Sequence, residues 1–161
     1  MDNDVSLLWQ VRYFVYNHLA DTTLPPSVND TAAHFNISPA EAGELYKELN
    51  NRHAFFLEPE TLTVRMAWPF SAIPTNFKVH ANDKTYYANC AWDMLGIPAL
   101  LKCDAVIEAI CTESNEWAQL EIKNGKIAPA AVPGGEDAAL SELRVHFPLP
   151  FARWYDDLTF T

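Results

Sequence analysis

The sequence predicts an α+β protein: an N-terminal three-helix winged helix-turn-helix unit, followed by a mixed α+β domain with a mainly antiparallel sheet. Three observations predict it. Apolar residues recur at intervals of three and four over residues 4–20, the spacing of a buried helical stripe. Ser38-Pro39-Ala40-Glu41 is a strong helix start. From residue 77 onward, short β-rich segments separated by turns surround a single further helical run.

In the first helix Val5, Leu8, Val11, Val15 and Leu19 share the stripe, with Trp9, Arg12 and Phe14 widening it. Leu24-Pro25-Pro26-Ser27 breaks it, because proline lacks the N–H a helix interior needs. A short helix follows over Asn29 to Phe35. Ser38 caps the third, Pro39 takes its first position, and Glu41 closes a capping box; the helix runs to about Arg52. Ala54–Leu57 and Thr61–Ala67 flank Glu58-Pro59-Glu60 and read as a hairpin. Residues 1–70 thus form the winged unit, and Trp68 to Thr75, with Pro69 and Pro74, reads as a linker.

The second unit spans 76–161. Strands are expected at Phe77–His80, Thr85–Tyr87, Ala105–Cys111, Trp117–Lys123, Lys126–Pro129 and Leu143–Pro148, with a helix over Cys90–Leu101. Asn124-Gly125 supplies a hairpin turn. Pro133 to Asp137 reads as an exposed loop, and Trp154 to Thr161 alternates like a strand.

Charge narrows the function. With 11 basic and 21 acidic residues the net charge is −10, which repels phosphate backbones. Residues 1–70 hold nine acids and four bases, and the would-be recognition helix carries Glu41, Glu44 and Glu48. A DNA-reading surface needs the opposite balance, so the winged unit reads as a packing module and no nucleic-acid partner is expected. No apolar run is long enough to cross a bilayer, and Met1-Asp2-Asn3-Asp4 lacks the basic start of a signal peptide. A cytoplasmic location is the default expectation. Cys90, Cys103 and Cys111 are an odd number, which suits reduced thiols. None has CxxC spacing, and the five histidines show no metal-binding spacing, so a structural zinc site is not expected.

The candidate site is Cys90-Ala91-Trp92-Asp93 at the start of the later helix. Residues i and i+3 share a helical face, so thiol and carboxyl can reach one ligand. A thiolate grips soft metals and a carboxyl can move a proton. The helix start is expected to lower the thiol pKa. Tyr86, Tyr87 and Trp92 are candidates for an apolar pocket around it. A buried, inert cysteine beside a carboxylate that satisfies helix N–H groups explains the same pattern, and the residues leave both readings open. Cys111 is expected to be buried on its strand, and Cys103, after Lys102, to be exposed.

Asn89-Cys90-Ala91-Trp92-Asp93 and Gly96-Ile97-Pro98-Ala99-Leu100-Leu101 resemble the alkylmercury (organomercurial) lyase family. Leu8-Trp9-Gln10-Val11-Arg12-Tyr13 and Arg65 to Thr75 are also similar to it. The resemblance implies protonolysis of a carbon–mercury bond, giving a hydrocarbon and Hg(II). It implies that Cys90 binds mercury, that Asp93 relays the proton, and that Cys111 is structural. It also implies an N-terminal unit that packs on the catalytic domain. The substrate is then an organomercurial small molecule. No cofactor is required, mercury being substrate and product ligand, and a small thiol serves as co-substrate or mercuric-ion acceptor. The family's second mercury-binding cysteine belongs at or just past the segment ending at Thr161, and neither Cys103 nor Cys111 matches it. A truncated lyase and a short relative with altered function both fit. The alternatives from other classes are a non-catalytic thiol module that binds or senses Hg(II) or Cu(I), and a transcription regulator.

Overall fold

The computed structural model describes residues 2–111, 115–131, 144–147 and 149–154. Helix α1 (Asp2–Thr22) buries Leu8, Val11, Val15 and Leu19 of the predicted stripe, while Trp9, expected to widen it, faces outward with Tyr13. Helices α2 (Val28–Phe35) and α3 (Pro39–Asn51) pack on each other. Each starts with a complete capping box, Ser27 with Asp30 and Ser38 with Glu41. The Tyr46 ring is fully buried, and its hydroxyl satisfies itself by donating to the Pro26 carbonyl at 3.1 Å and pairing with the Thr31 hydroxyl at 2.7 Å.

Eight strands follow: β1 (Phe56–Leu57), β2 (Val64–Ala67), β3 (Phe70–Ser71), β4 (Lys78–Ala81), β5 (Lys84–Ala88), β6 (Ala105–Ile110), β7 (Trp117–Lys123) and β8 (Lys126–Ala131). They form one antiparallel sheet in the order β1-β2-β3-β5-β4-β6-β7-β8. Asn124 and Gly125 both have positive φ, 52° and 72°, which is what the tight β7–β8 turn demands.

Two expectations fail here. Residues 68–75 are no linker. Phe70 and Ser71 form β3, which pairs with β2 through Met66↔Ser71 and with β5 through Phe70↔Ala88. The prolines at 69 and 74 flank this two-residue strand, so neither removes a ladder hydrogen bond from it. The strand expected at Leu143–Pro148 is absent from its described part, because residues 144–147 carry no regular structure. The Pro133 to Asp137 loop and residues 155–161 lie outside the described residues.

Across the sheet Tyr86, Val79, Ile107 and Leu120 stand in register on one buried face. Helix α4 (Ala91–Leu101) lies over β4, β5 and β6 and sets Ile97, fully buried, against that face. At the end of α1 the Ala20 carbonyl has no helical partner, and the Tyr86 hydroxyl donates to it at 2.6 Å. That bond ties the N-terminal helix to β5. No helix among the described residues is long and apolar enough to cross a membrane.

Candidate active site

Strand β5 ends at Ala88, and three residues later, at Ala91, α4 begins. Cys90 is its N-cap, with extended φ −146° and ψ 177°, and its carbonyl accepts from Met94 N–H at 3.2 Å. Asp93 sits one turn in, so both side chains leave the same end of the helix. The Cys90 thiol donates to Asp93 Oδ2 at 3.4 Å.

The pair lies in a cavity of about 520 Å³. Asn89 adds the remaining polar group nearby. Trp68 and Pro69, from the turn between β2 and β3, form one wall with Gly96 and Leu100 of α4. Gly96 permits this: a Cβ there stands 3.1 Å from the Pro69 Cβ. The other wall is aromatic. Trp92 faces Phe147 with ring centres 6.2 Å apart, and Phe147 stacks on Trp154 at 5.1 Å. Trp154 Nε1–H donates to the Leu149 carbonyl at 3.0 Å, which fixes its ring. A larger groove of about 770 Å³ runs beside α3 and Leu62 but holds no cysteine.

A thiol and a carboxyl in contact, in a pocket walled by apolar rings, is a donor set for a soft cation with a proton source beside it. The family model for alkylmercury lyase, MerB, matches residues 70–152, which include the whole of this arrangement apart from Trp68, Pro69 and Trp154. The chain belongs to the alkylmercury lyase family. A solved structure, the mercury-bound form of MerB2, shares its fold at a TM-score of 0.54 and 22% identity, over 73% of this chain. The match spans 65% of that structure's chain. A search of the curated proteins gives no match.

Electrostatics in this family member differ from the sequence expectation. Burial pushes the Cys90 thiol up to about 11, and the Asp93 charge pushes the same way. The Trp92 and Asp93 N–H groups at the helix start oppose the rise without overcoming it. A helix terminus lowers a thiol pKa by favouring negative charge, but desolvation and a neighbouring carboxylate both penalise that charge. Burial also raises Asp93 to about 6, against the pull of hydrogen bonds from the Cys90 thiol and backbone N–H. Near neutral pH the resting pair is therefore thiol and carboxylate. Helix α1 comes within electrostatic reach: Tyr16, raised by burial and opposed by Arg12, also senses the Asp93 charge.

The other sequence candidates are placed as follows. Trp92 lines the cavity. Tyr86 faces the core, with its hydroxyl on Ala20, and neither it nor Tyr87 is among the lining residues. Cys103 and Cys111 also lie outside the cavity, and no cysteine is in a disulfide. Both are partly exposed; Cys103 packs against the core edge, and Cys111 follows the last residue of β6. No cluster of three or more potential metal ligands occurs among the described residues. Sequence reasoning missed Trp68, Pro69, Leu100, Phe147 and Trp154 as walls. For Trp68, Phe147 and Trp154 the signal was aromatic content in segments read as linker or strand; Pro69 and Leu100 gave none.

Proposed function

We propose that this chain cleaves carbon–mercury bonds by protonolysis, and the Cys90–Asp93 contact at 3.4 Å inside the apolar cavity carries the reading. An organomercurial R–Hg–X meets the Cys90 thiol. Sulfur bonds to mercury, X leaves, and the thiol proton passes to the Asp93 carboxylate. Asp93 then returns that proton to the carbon. The C–Hg bonding pair becomes the new C–H bond, hydrocarbon RH departs, and Hg(II) stays on sulfur. Sulfur donation raises electron density at mercury and so at the attached carbon. The raised Asp93 pKa, about 6, suits a group that must both take and give a proton near neutrality.

Cys90 is the chain's one cysteine in the cavity, so a small thiol co-substrate is proposed as the second sulfur and as acceptor of the Hg(II) product. The same observation favours a second reading, a thiol module that sequesters Hg(II) or Cu(I) without turnover. DNA binding has little support: the cations Lys47 of α3 and Arg52 at its C-cap are held by Glu44 and Glu48. The deciding experiment is hydrocarbon release from a simple organomercurial in excess small thiol, with a Cys90→Ser control. Cys90-dependent release supports the lyase. Stoichiometric mercury binding without release supports the sequestering module.

A further inference from the structure

The cavity is far larger than its thiol and carboxyl require, and its surplus is shaped. A methyl group on mercury occupies a small fraction of about 520 Å³. Trp92, Phe147 and Trp154 form a continuous line of rings, with centres 6.2 and 5.1 Å apart. Trp92 is 57% exposed and Phe147 41% exposed, so ring surface remains for a ligand to cover. Trp92 lies between Cys90 and Asp93 in the chain, which anchors this wall to the reacting pair. Ring pairs at these separations favour tilted or offset packing, and a third flat ring can extend such a row where a methyl or ethyl group cannot.

We infer that the organic group this site selects is aromatic, and that Trp92 and Phe147 are its specificity-determining residues. The inference rests on the proposed mercury chemistry at Cys90 and names the substrate class within it. A ring bonded to mercury on the Cys90 sulfur packs against Trp92 and Phe147. Trp154, pinned through Leu149, backs Phe147 and keeps its face aligned.

The test separates binding from turnover. Asp93→Asn protein, in buffered excess small thiol, is offered equimolar phenylmercury and ethylmercury, and the Cys90 adducts are quantified by intact mass. The phenyl adduct is expected to dominate by roughly tenfold, the scale of a good aromatic pair. Adding Phe147→Leu, or separately Trp92→Leu, should bring the ratio severalfold nearer to that of free thiol; circular dichroism confirms folding of each. A ratio equal to that of free thiol, or one that neither substitution moves, overturns the inference and leaves the lyase reading standing. No adduct at Cys90 overturns both. A phenyl preference with no hydrocarbon release from unsubstituted protein supports the inference and sinks the lyase reading alone.

Discussion

Helices α3 and α4 start with the same spacing of cap and acid and opposite electrostatics, although only α3 closes a capping box. Each has a small polar N-cap, Ser38 or Cys90, and an acid three residues on, Glu41 or Asp93. At α3 the Ser38 hydroxyl and the Ser38 backbone N–H donate to Glu41 Oε2 at 2.7 and 2.8 Å in open water. Those hydrogen bonds hold the Glu41 carboxyl below its ordinary range. At α4 the acid reaches back to its cap in the same way, yet Asp93 rises to about 6. The difference is the walls. Hydrogen bonds to a carboxylate favour charge, and desolvation reverses the balance when aromatic rings exclude water. One local spacing gives an ordinary surface acid at α3 and a carboxyl titrating near neutrality at α4.

Cys90→Ser breaks the comparison hardest, since it makes the α4 start a Ser-x-x-Asp pair like the one at α2. Mercury adduct and hydrocarbon release should both fall to background, measured by intact mass and headspace gas. Retained release refutes the role given to Cys90.

Asp93→Asn comes next. Mercury binding should survive while release drops by orders of magnitude. The protein should also become more stable. Asp93 ionises near 6 when folded and near its ordinary 3.8 when unfolded. Below about pH 4 both states hold the proton and there is no penalty. Between pH 4 and about 6 the unfolded state ionises first, so stability falls as pH rises. Above that the loss reaches a ceiling of roughly 3 kcal/mol. Urea midpoints should therefore favour the variant at pH 8 and not at pH 4. The same titration predicts a rise in wild-type turnover through about pH 6, because the carboxylate must be free to take the thiol proton. A flat profile from pH 5 to 8 contradicts that step.

Gly96→Val sharpens the role of the walls. Its added atoms meet Pro69, which cannot rotate away, and overpacking of this kind costs roughly 2 kcal/mol. Turnover should fall more than the stability loss explains, as α4 shifts under Cys90. Ser38→Ala is the mildest. Loss of one cap costs about 1 kcal/mol, seen in thermal unfolding, with mercury chemistry unchanged.

What was legible in the sequence is what is local. The Ser38–Glu41 capping box, the Leu8, Val11, Val15 and Leu19 stripe and the Cys90–Asp93 spacing are each fixed within a few residues, and all are present; the Ser27–Asp30 box was not read. Tyr86 shows the limit. Its nearness to Cys90 in the chain suggested a pocket wall, but on β5 its side chain points to the core face and reaches Ala20, 66 residues earlier. Phe147 and Trp154, more than 50 positions from Cys90, form the wall instead. The direction of the thiol pKa was misread for the same reason. A helix start is visible in sequence, while the desolvation that overrides it comes from distant segments.

Strand β3 gives the molecule a seam rather than a hinge. Only two residues long, it completes the hydrogen-bond ladder between the N-terminal hairpin and β5, and Cys90 follows two residues after β5 ends. Opening of the hairpin strips β3 of one neighbour and so loosens the strand that delivers the thiol. Amide exchange in β2, β3 and β5 should consequently slow and quicken together, as one cooperative unit whose fluctuations set how often the Cys90–Asp93 pair is intact.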